Sequence, residues 1–216
     1  MNQAIIQYID QLRLSGIKEL YRTQNTPAEK QELLNRNYEA YKNCKNCPLY
    51  KGRKHFVYGE GNPDAVCMVI GEGPGEQENL QGRPFVGPAG QLLDKMLLAI
   101  KIKREDVYIT NIVKCRPPGN RNPLPEERLA CLPYLEEQIK IIEPEIFLFM
   151  GLVAAQTLLE SSSPMHDLRS VPHEFMDRPA YVTYHPAALL RNPQWKKDAW
   201  QDLQKFQAEY DALISK

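Results

Sequence analysis

The sequence predicts an α/β protein: a three-layer α/β/α sandwich around a four-stranded, mostly parallel sheet, with an N-terminal helical extension. Three observations carry this expectation. From about residue 60 onward, short apolar runs alternate with stretches of helical period. The first run, Ala65-Val66-Cys67-Met68-Val69-Ile70, is apolar throughout, as a strand covered on both faces should be. No internal repeat or low-complexity tract breaks the alternation.

The elements follow in order. Residues 2–20 read as an amphipathic helix through Ile5, Ile9, Leu12 and Leu20. Thr26-Pro27, with Glu29 in the first turn, opens a second helix whose stripe is Leu33, Leu34, Tyr38 and Tyr41. These two make an extension over residues 1–43 that carries no chemical motif and reads as packing or partner surface. Residues 44–216 form the main domain. Its first strand ends at Gly71, and a helix over 88–100 turns Leu92, Leu93, Met96, Leu97 and Ile100 inward. Val107–Val113 is the second strand, and about 126–142 a helix expected to kink at Pro133. Ile146–Met150 is the third strand, followed by a helix over 151–160. Tyr181–Tyr184 is the fourth, and 194–213 the closing helix.

Composition bounds the function. The 216 residues are 43% hydrophobic and 25% charged, an ordinary soluble composition. No apolar run approaches the ~18–20 residues that span a bilayer. The opening MNQAIIQYIDQL holds an acid and several polar residues, unlike a signal peptide. A cytoplasmic monomer with no membrane partner is the expectation. The 27 basic and 27 acidic residues balance, yet they are segregated. Residues 40–59 (Lys42, Lys45, Lys51, Arg53, Lys54), 107–125 (Lys114, Arg116, Arg121) and 178–197 (Arg178, Arg191, Lys196, Lys197) contain no acid. That pattern suits either a phosphate-binding face or a solvated charged surface.

Parallel sheets bind ligands beyond the carboxyl ends of their strands. There the first strand runs into Gly71-Glu72-Gly73-Pro74-Gly75, the second through Thr110-Asn111 into Lys114-Cys115-Arg116, and the fourth into His185-Pro186 and Leu189-Leu190-Arg191. The glycine loop fails as a dinucleotide fingerprint, with Glu76 at the third glycine position, and lacks the Gly-Lys-Ser/Thr of a Walker loop. Its glycines instead let backbone N–H groups approach a small planar ligand, and Glu72 is placed to orient or deprotonate a water. Phe85, in Gly82-Arg83-Pro84-Phe85-Val86-Gly87, is a stacking platform or a packing residue. Leu189-Leu190-Arg191 offers an apolar wedge beside a cation, the pair used to part base steps.

Cys44 and Cys47 are spaced C-x2-C, and Cys115 and Cys131 C-x15-C. Four thiolates suit an iron–sulfur cluster or tetrahedral zinc; the absence of a second tight knuckle favours iron–sulfur. Cys67, in mid-strand, reads as a small buried hydrophobe.

Together GEGPG (71–75), GRPFVGPAGQLL (82–93), YITNIVKCRPPGNRNPLP (108–125), HPAALLRNP (185–193) and the four cysteines resemble the iron–sulfur-containing family 4 of the uracil-DNA glycosylase superfamily. The likeness spans about residues 44–193. It implies hydrolysis of the N-glycosidic bond of deoxyuridine in single- or double-stranded DNA, the opening step of base excision repair. It implies a [4Fe-4S] cluster on Cys44, Cys47, Cys115 and Cys131, and uracil held by the Gly71–Gly73 backbone, Phe85, Asn111 and His185. His185 would act on the leaving base and Glu72 on the water, with Leu189, Leu190 and Arg191 on the DNA. A relative that traps its product carries a nucleophilic histidine on an inserted loop. Residues 116–130 contain none, so turnover is expected. Asn79 stands where an acid is expected. The competing function is a non-enzymatic zinc or iron–sulfur nucleic-acid-binding module on the same fold.

Overall fold

The computed structural model describes residues 25–215; the helix expected over 2–20 lies outside the described residues. The first described element is α1 (Pro27–Tyr41). Thr26 Oγ1 accepts from the Glu29 N–H at 3.3 Å, and Glu29 Oε2 accepts from the Thr26 N–H at 2.7 Å, the reciprocal box that fixes a helix start. After the short strand β1 (Glu60–Gly61) come β2 (Cys67–Gly71), α2 (Glu76–Gln81), α3 (Pro88–Ala99), β3 (Tyr108–Asn111) and α4 (Pro125–Ile142). Then follow β4 (Ile146–Met150), α5 (Leu152–Leu158), α6 (Met165–Ser170), β5 (His173–Phe175), β6 (Arg178–Thr183), α7 (Pro186–Arg191) and α8 (Lys196–Ile214). α4 carries Pro133 within it. Among the described residues no helix is long and apolar enough to cross a membrane.

The sheet order is β1-β3-β2-β4-β6-β5. Its central four strands are parallel, as expected, and the two outer strands pair antiparallel at the edges. These edge strands were not expected, because neither announces itself. β1 is two residues long, and β5 turns into β6 through Met176 and Asp177, both at positive φ (51° and 60°). A mirror-image hairpin turn usually advertises itself with Asn-Gly, and Met-Asp does not.

Alternation along the strands builds the two outer layers. Met68, Ile70, Phe147 and Phe149 pack with Leu34 of α1, Leu135 and Ile139 of α4, and Leu158 of α5. Cys67, Val69, Ile146 and Leu148 point to the other face, against Leu93 and Leu97 of α3, and Leu203 and Phe206 of α8. Cys67 is fully buried, as a small hydrophobe should be. α1 lies on α4, with the Tyr41 and Tyr134 rings 4.6 Å apart and the Tyr41 hydroxyl donating to Glu137 at 2.5 Å.

Register positions the site. Gly71 lies opposite Asn111, so β2 and β3 end side by side. Met150 lies opposite Thr183, and the Gly151 N–H donates to the Thr183 carbonyl at 2.8 Å. The chain leaves β2 first toward β3 and later returns to β4 on its other side. The carboxyl ends of β2 and β4 therefore flank the crevice where the winding reverses.

Candidate active site

A cleft of about 490 Å³ opens at that crevice, lined by Glu72, Gly73, Phe85, Asn111, His185 and Arg191 among others. The size suits a small planar ligand with room for a chain beside it. Each wall has a local cause.

Gly71 is required by crowding. A Cβ there would lie 2.5 Å from Asn111 Oδ1 and 2.6 Å from Phe85 Cζ. Those two short distances also show that the amide and the ring converge on the end of β2. The Phe85 and His185 rings lie 5.5 Å apart, tilted by 31°. Gly71, Phe85, Asn111 and His185, four of the six residues expected around one base, thus lie together, with Glu72 and Gly73 on the same cleft.

Phe85 sits at φ +51°, a left-handed conformation that costs energy for a non-glycine residue. Its surroundings hold it there. Glu78 Oε1 accepts from the N–H groups of Val86 (2.9 Å) and Gly87 (2.8 Å), while Oε2 accepts from the Gly75 N–H at 3.1 Å. From the other side Arg104 donates to the carbonyls of Pro84 (2.7 Å) and Phe85 (3.1 Å), and is itself fixed by Glu60 and Asp94 at 2.8 Å each. Gly90 lets α3 come against this loop, since a Cβ there would meet the Phe85 carbonyl at 1.8 Å. Sequence reasoning did not foresee that Glu78 and Arg104 brace this loop. The spacing of Glu78 three residues after Gly75 was the available signal, whereas Arg104 carries none.

Asn111 is buried, and its Oδ1 has no hydrogen-bond partner. A buried acceptor left open costs about 1–3 kcal/mol, so it marks a position kept for something else. His185 caps α7: its Nδ1 accepts from the Ala187 N–H at 3.2 Å. That bond assigns the proton to Nε2 and leaves Nε2–H as the free donor. Burial, reinforced by Arg191, pulls the imidazole down to about 4, so the ring is neutral at working pH. Gly151 (φ +93°) gives this histidine room, because a Cβ would meet its Cβ at 2.8 Å.

Glu72 has two acidic neighbours in sequence, Glu76 and Glu78, and the surroundings of the three carboxyls separate them. Glu78 is occupied by three backbone N–H groups. Glu76 is exposed, with Arg116 at 3.6 Å. Glu72 is half-buried on the cleft wall, and burial raises its carboxyl to about 7 against the opposing pull of Arg128 and Arg191. It is the carboxyl poised for proton exchange near neutrality.

The expected DNA-facing residues divide. Leu190 is 46% exposed, but Leu189 is 1% exposed and packs in the α3–α8 core, so its side chain is not available as a wedge. Adjacent residues on a helix face different sides, and only one of the pair can point outward. Arg191 is exposed at the cleft rim. Of the basic windows, Lys114 is fully buried and belongs to no surface. Arg178 starts β6, at the end of the strand away from the cleft. Arg121 borders the cleft and is paired to Glu127 at 2.7 Å.

Cys44, Cys47, Cys115 and Cys131 line one small cavity with Arg53, Phe56 and Tyr134. They arrive from the start of a short 3-10 turn (Pro48–Gly52), the exit of β3 and α4. Donors face the sulfurs: the Asn46 N–H (3.4 Å) and the Tyr134 hydroxyl (3.0 Å) at Cys44, Arg53 Nη1 at Cys115 (3.5 Å) and the Lys114 N–H at Cys131 (3.3 Å). Burial drives the Cys131 thiol up to about 12 and raises Cys47 and Cys115 as well. Among the described residues no three His, Cys, Asp or Glu side chains are set to hold a single ion. Asn79, where an acid was expected, is a buried strap. Its Oδ1 accepts from the Lys54 N–H (2.9 Å) and its Nδ2 donates to the Gly52 carbonyl (3.4 Å), a donation no carboxylate makes.

An α/β sheet whose switch-point cleft gathers an open buried amide oxygen, an aromatic ring and a neutral imidazole suits a planar polar ligand, and comparison with known families says which class of protein this is. The model of the Uracil DNA glycosylase superfamily matches residues 58–204. A Type-4 uracil-DNA glycosylase of Pyrobaculum aerophilum is 43% identical over 181 residues, spanning 80% of this chain and 92% of its own length. That of Thermotoga maritima is 44% identical over 165 residues, 76% of this chain and 86% of its own. The Saccharolobus solfataricus protein of the same name is 44% identical over 182 residues, 80% and 83%. The chain belongs to the type-4 uracil-DNA glycosylase family.

Proposed function

We infer that the protein excises uracil from DNA, hydrolysing the bond between N1 of the base and C1′ of deoxyribose to leave an abasic site for base excision repair. The observation that carries this is the open Asn111 Oδ1, buried beside the Phe85 ring and within one wall of His185.

A base in a duplex is stacked, so it must be swung out at a cost of a few kcal/mol. Leu190 enters the gap and Arg191 holds phosphate. Phe85 stacks on the extruded ring. Asn111 Oδ1 accepts from N3–H and its Nδ2 donates to O4. Cytosine reverses both groups, so its entry would strand buried polar atoms. As the N-glycosidic bond breaks, its electron pair moves into uracil and C1′ becomes oxocarbenium-like. His185 donates Nε2–H toward O2, and backbone N–H groups of the glycine loop assist, where negative charge grows. Water adds to C1′ and gives its proton to the Glu72 carboxylate. At pH 8 His185, lowered to about 4, is a neutral donor, and Glu72, although burial raises it to about 7, is ionised and can accept.

For the four cysteines we propose a [4Fe-4S] cluster. The all-sulfur donor set, the single cavity and the N–H and O–H groups facing the sulfurs support it, since such groups stabilise cluster thiolates. Bound there, the cluster supplies a cross-link joining the segment before the sheet to the loop after β3. The working form is proposed to be a cytoplasmic monomer acting on uracil in single- or double-stranded DNA, in the compartment where unpaired thiols persist.

The test is incubation with uracil-containing DNA followed by alkali, with the absorption spectrum recorded on the same preparation. Strand breaks at uracil and a brown protein absorbing near ~400 nm are expected. A colourless protein with stoichiometric zinc that leaves the DNA intact would replace this reading with the non-enzymatic binding module.

A further inference from the structure

The largest completely buried side chain in the described molecule is Lys114, although it ends in a charge-bearing group. It stands three residues after Asn111 and one before Cys115, between the base pocket and the cysteine cavity. Its Nζ lies 2.6 Å from Thr110 Oγ1, 2.9 Å from the Asn111 carbonyl and 2.6 Å from Gln138 Oε1. All three accept. Thr110 gives its own hydroxyl proton to the Tyr58 carbonyl at 2.8 Å. Gln138 turns its nitrogen to the same carbonyl (2.9 Å) and to the Tyr108 hydroxyl (3.2 Å), which leaves its oxygen facing the lysine. Three acceptors and no donor match the three N–H bonds of an ammonium group.

Asn111 is the last residue of β3, and its side-chain oxygen has no protein partner to fix it. The direction of its amide is therefore set by its backbone and by the walls around it. Removing the lysine would free the backbone carbonyl of the residue that reads the base. We propose that Lys114 is a positioning residue for base recognition: its buried head group grips the Asn111 carbonyl and the Thr110 hydroxyl, and so fixes the angle at which the Asn111 amide meets the uracil edge. The backbone N–H of the same residue donates to Cys131 Sγ at 3.3 Å, so one residue links the cysteine cavity to the pocket. The proposal rests on the base-reading role given to Asn111.

The alternative is that Lys114 only fills a polar hole in the core, and a double-mutant cycle separates the two. Single-turnover uracil excision is measured at saturating DNA for Lys114→Met in the native and Asn111→Ala backgrounds, with DNA affinity and visible absorption recorded for each. Acting through Asn111, Lys114→Met slows native excision ~10–30-fold with DNA Kd within ~2-fold, and slows Asn111→Ala by no more than ~2-fold further. The isosteric Thr110→Val removes one acceptor at constant shape and decides the matter should Lys114→Met fail to fold. It is expected to slow native excision ~3-fold and to leave Asn111→Ala unchanged. An equal slowing in both backgrounds, or no slowing in the native one, overturns the proposal. Full excision by Asn111→Ala itself would overturn the underlying reading of Asn111, a failure distinct from one seen only at Lys114.

Discussion

The base pocket and the cysteine cavity sit at the two ends of one short stretch, Asn111 to Cys115, and treat their polar atoms in opposite ways. In the cavity each of three cysteine sulfurs meets a specific donor, from Asn46, Tyr134, Arg53 or the Lys114 backbone. In the pocket Asn111 Oδ1 is left open and Phe85 is held in an unfavourable backbone region. Satisfied polar groups stabilise a structure, and unsatisfied or strained ones are tolerated where a ligand completes them. The difference supports the proposed division, with bracing in one region and chemistry in the other.

Mutations that break this contrast rank by expected size. His185→Ala is the largest. Losing a donor aimed at developing charge should lower the single-turnover rate by ~10²–10³-fold while DNA affinity changes little. An equal fall in rate and affinity would demote His185 to binding. Next is the pH profile. Glu72 must be ionised to take a proton, and its carboxyl is raised to about 7 by burial, so activity should fall as pH drops through about 7. His185, already neutral above about 4, should add no second limb between pH 5 and 9. Glu72→Gln should abolish the limb along with most of the rate; an unchanged limb would transfer the role to another group. The smallest effect on chemistry is expected at α7, where neighbouring leucines divide. Leu190→Ala should slow excision from duplex more than from single-stranded DNA without lowering Tm. Leu189→Ala should cost about 2–5 kcal/mol of stability, as buried leucines do, read by denaturant unfolding. The reverse assignment would contradict the packing of α7.

Much of this was legible beforehand for physical reasons. Strands buried on both faces are continuously apolar, so β2 and β4 stood out; β6, only partly buried, was expected over Tyr181–Tyr184 and begins earlier, at Arg178. The glycines, Asn111 and His185 drew notice because they follow strand ends, where parallel sheets gather their loops. What escaped notice depends on contacts distant in sequence. Arg104 holds the carbonyl of Phe85 nineteen residues away, and nothing local marks it. Lys114 was counted with the surface cations because charge alone does not tell which way a side chain turns; the acceptors that bury it come from β3 and α4. Leu189 and Leu190 were inseparable until the helix phase of α7 was known.

One amide, Asn111, is proposed to read the Watson–Crick edge of an extruded base. The most direct test of this reading compares excision of uracil and of cytosine, opposite the same partner base, by the native protein and by Asn111→Asp. The native protein is expected to remove uracil alone. With Asn111→Asp, uracil excision collapses or the preference over cytosine is lost, because a carboxylate cannot donate to O4. Native uracil excision and unchanged discrimination in Asn111→Asp would contradict it.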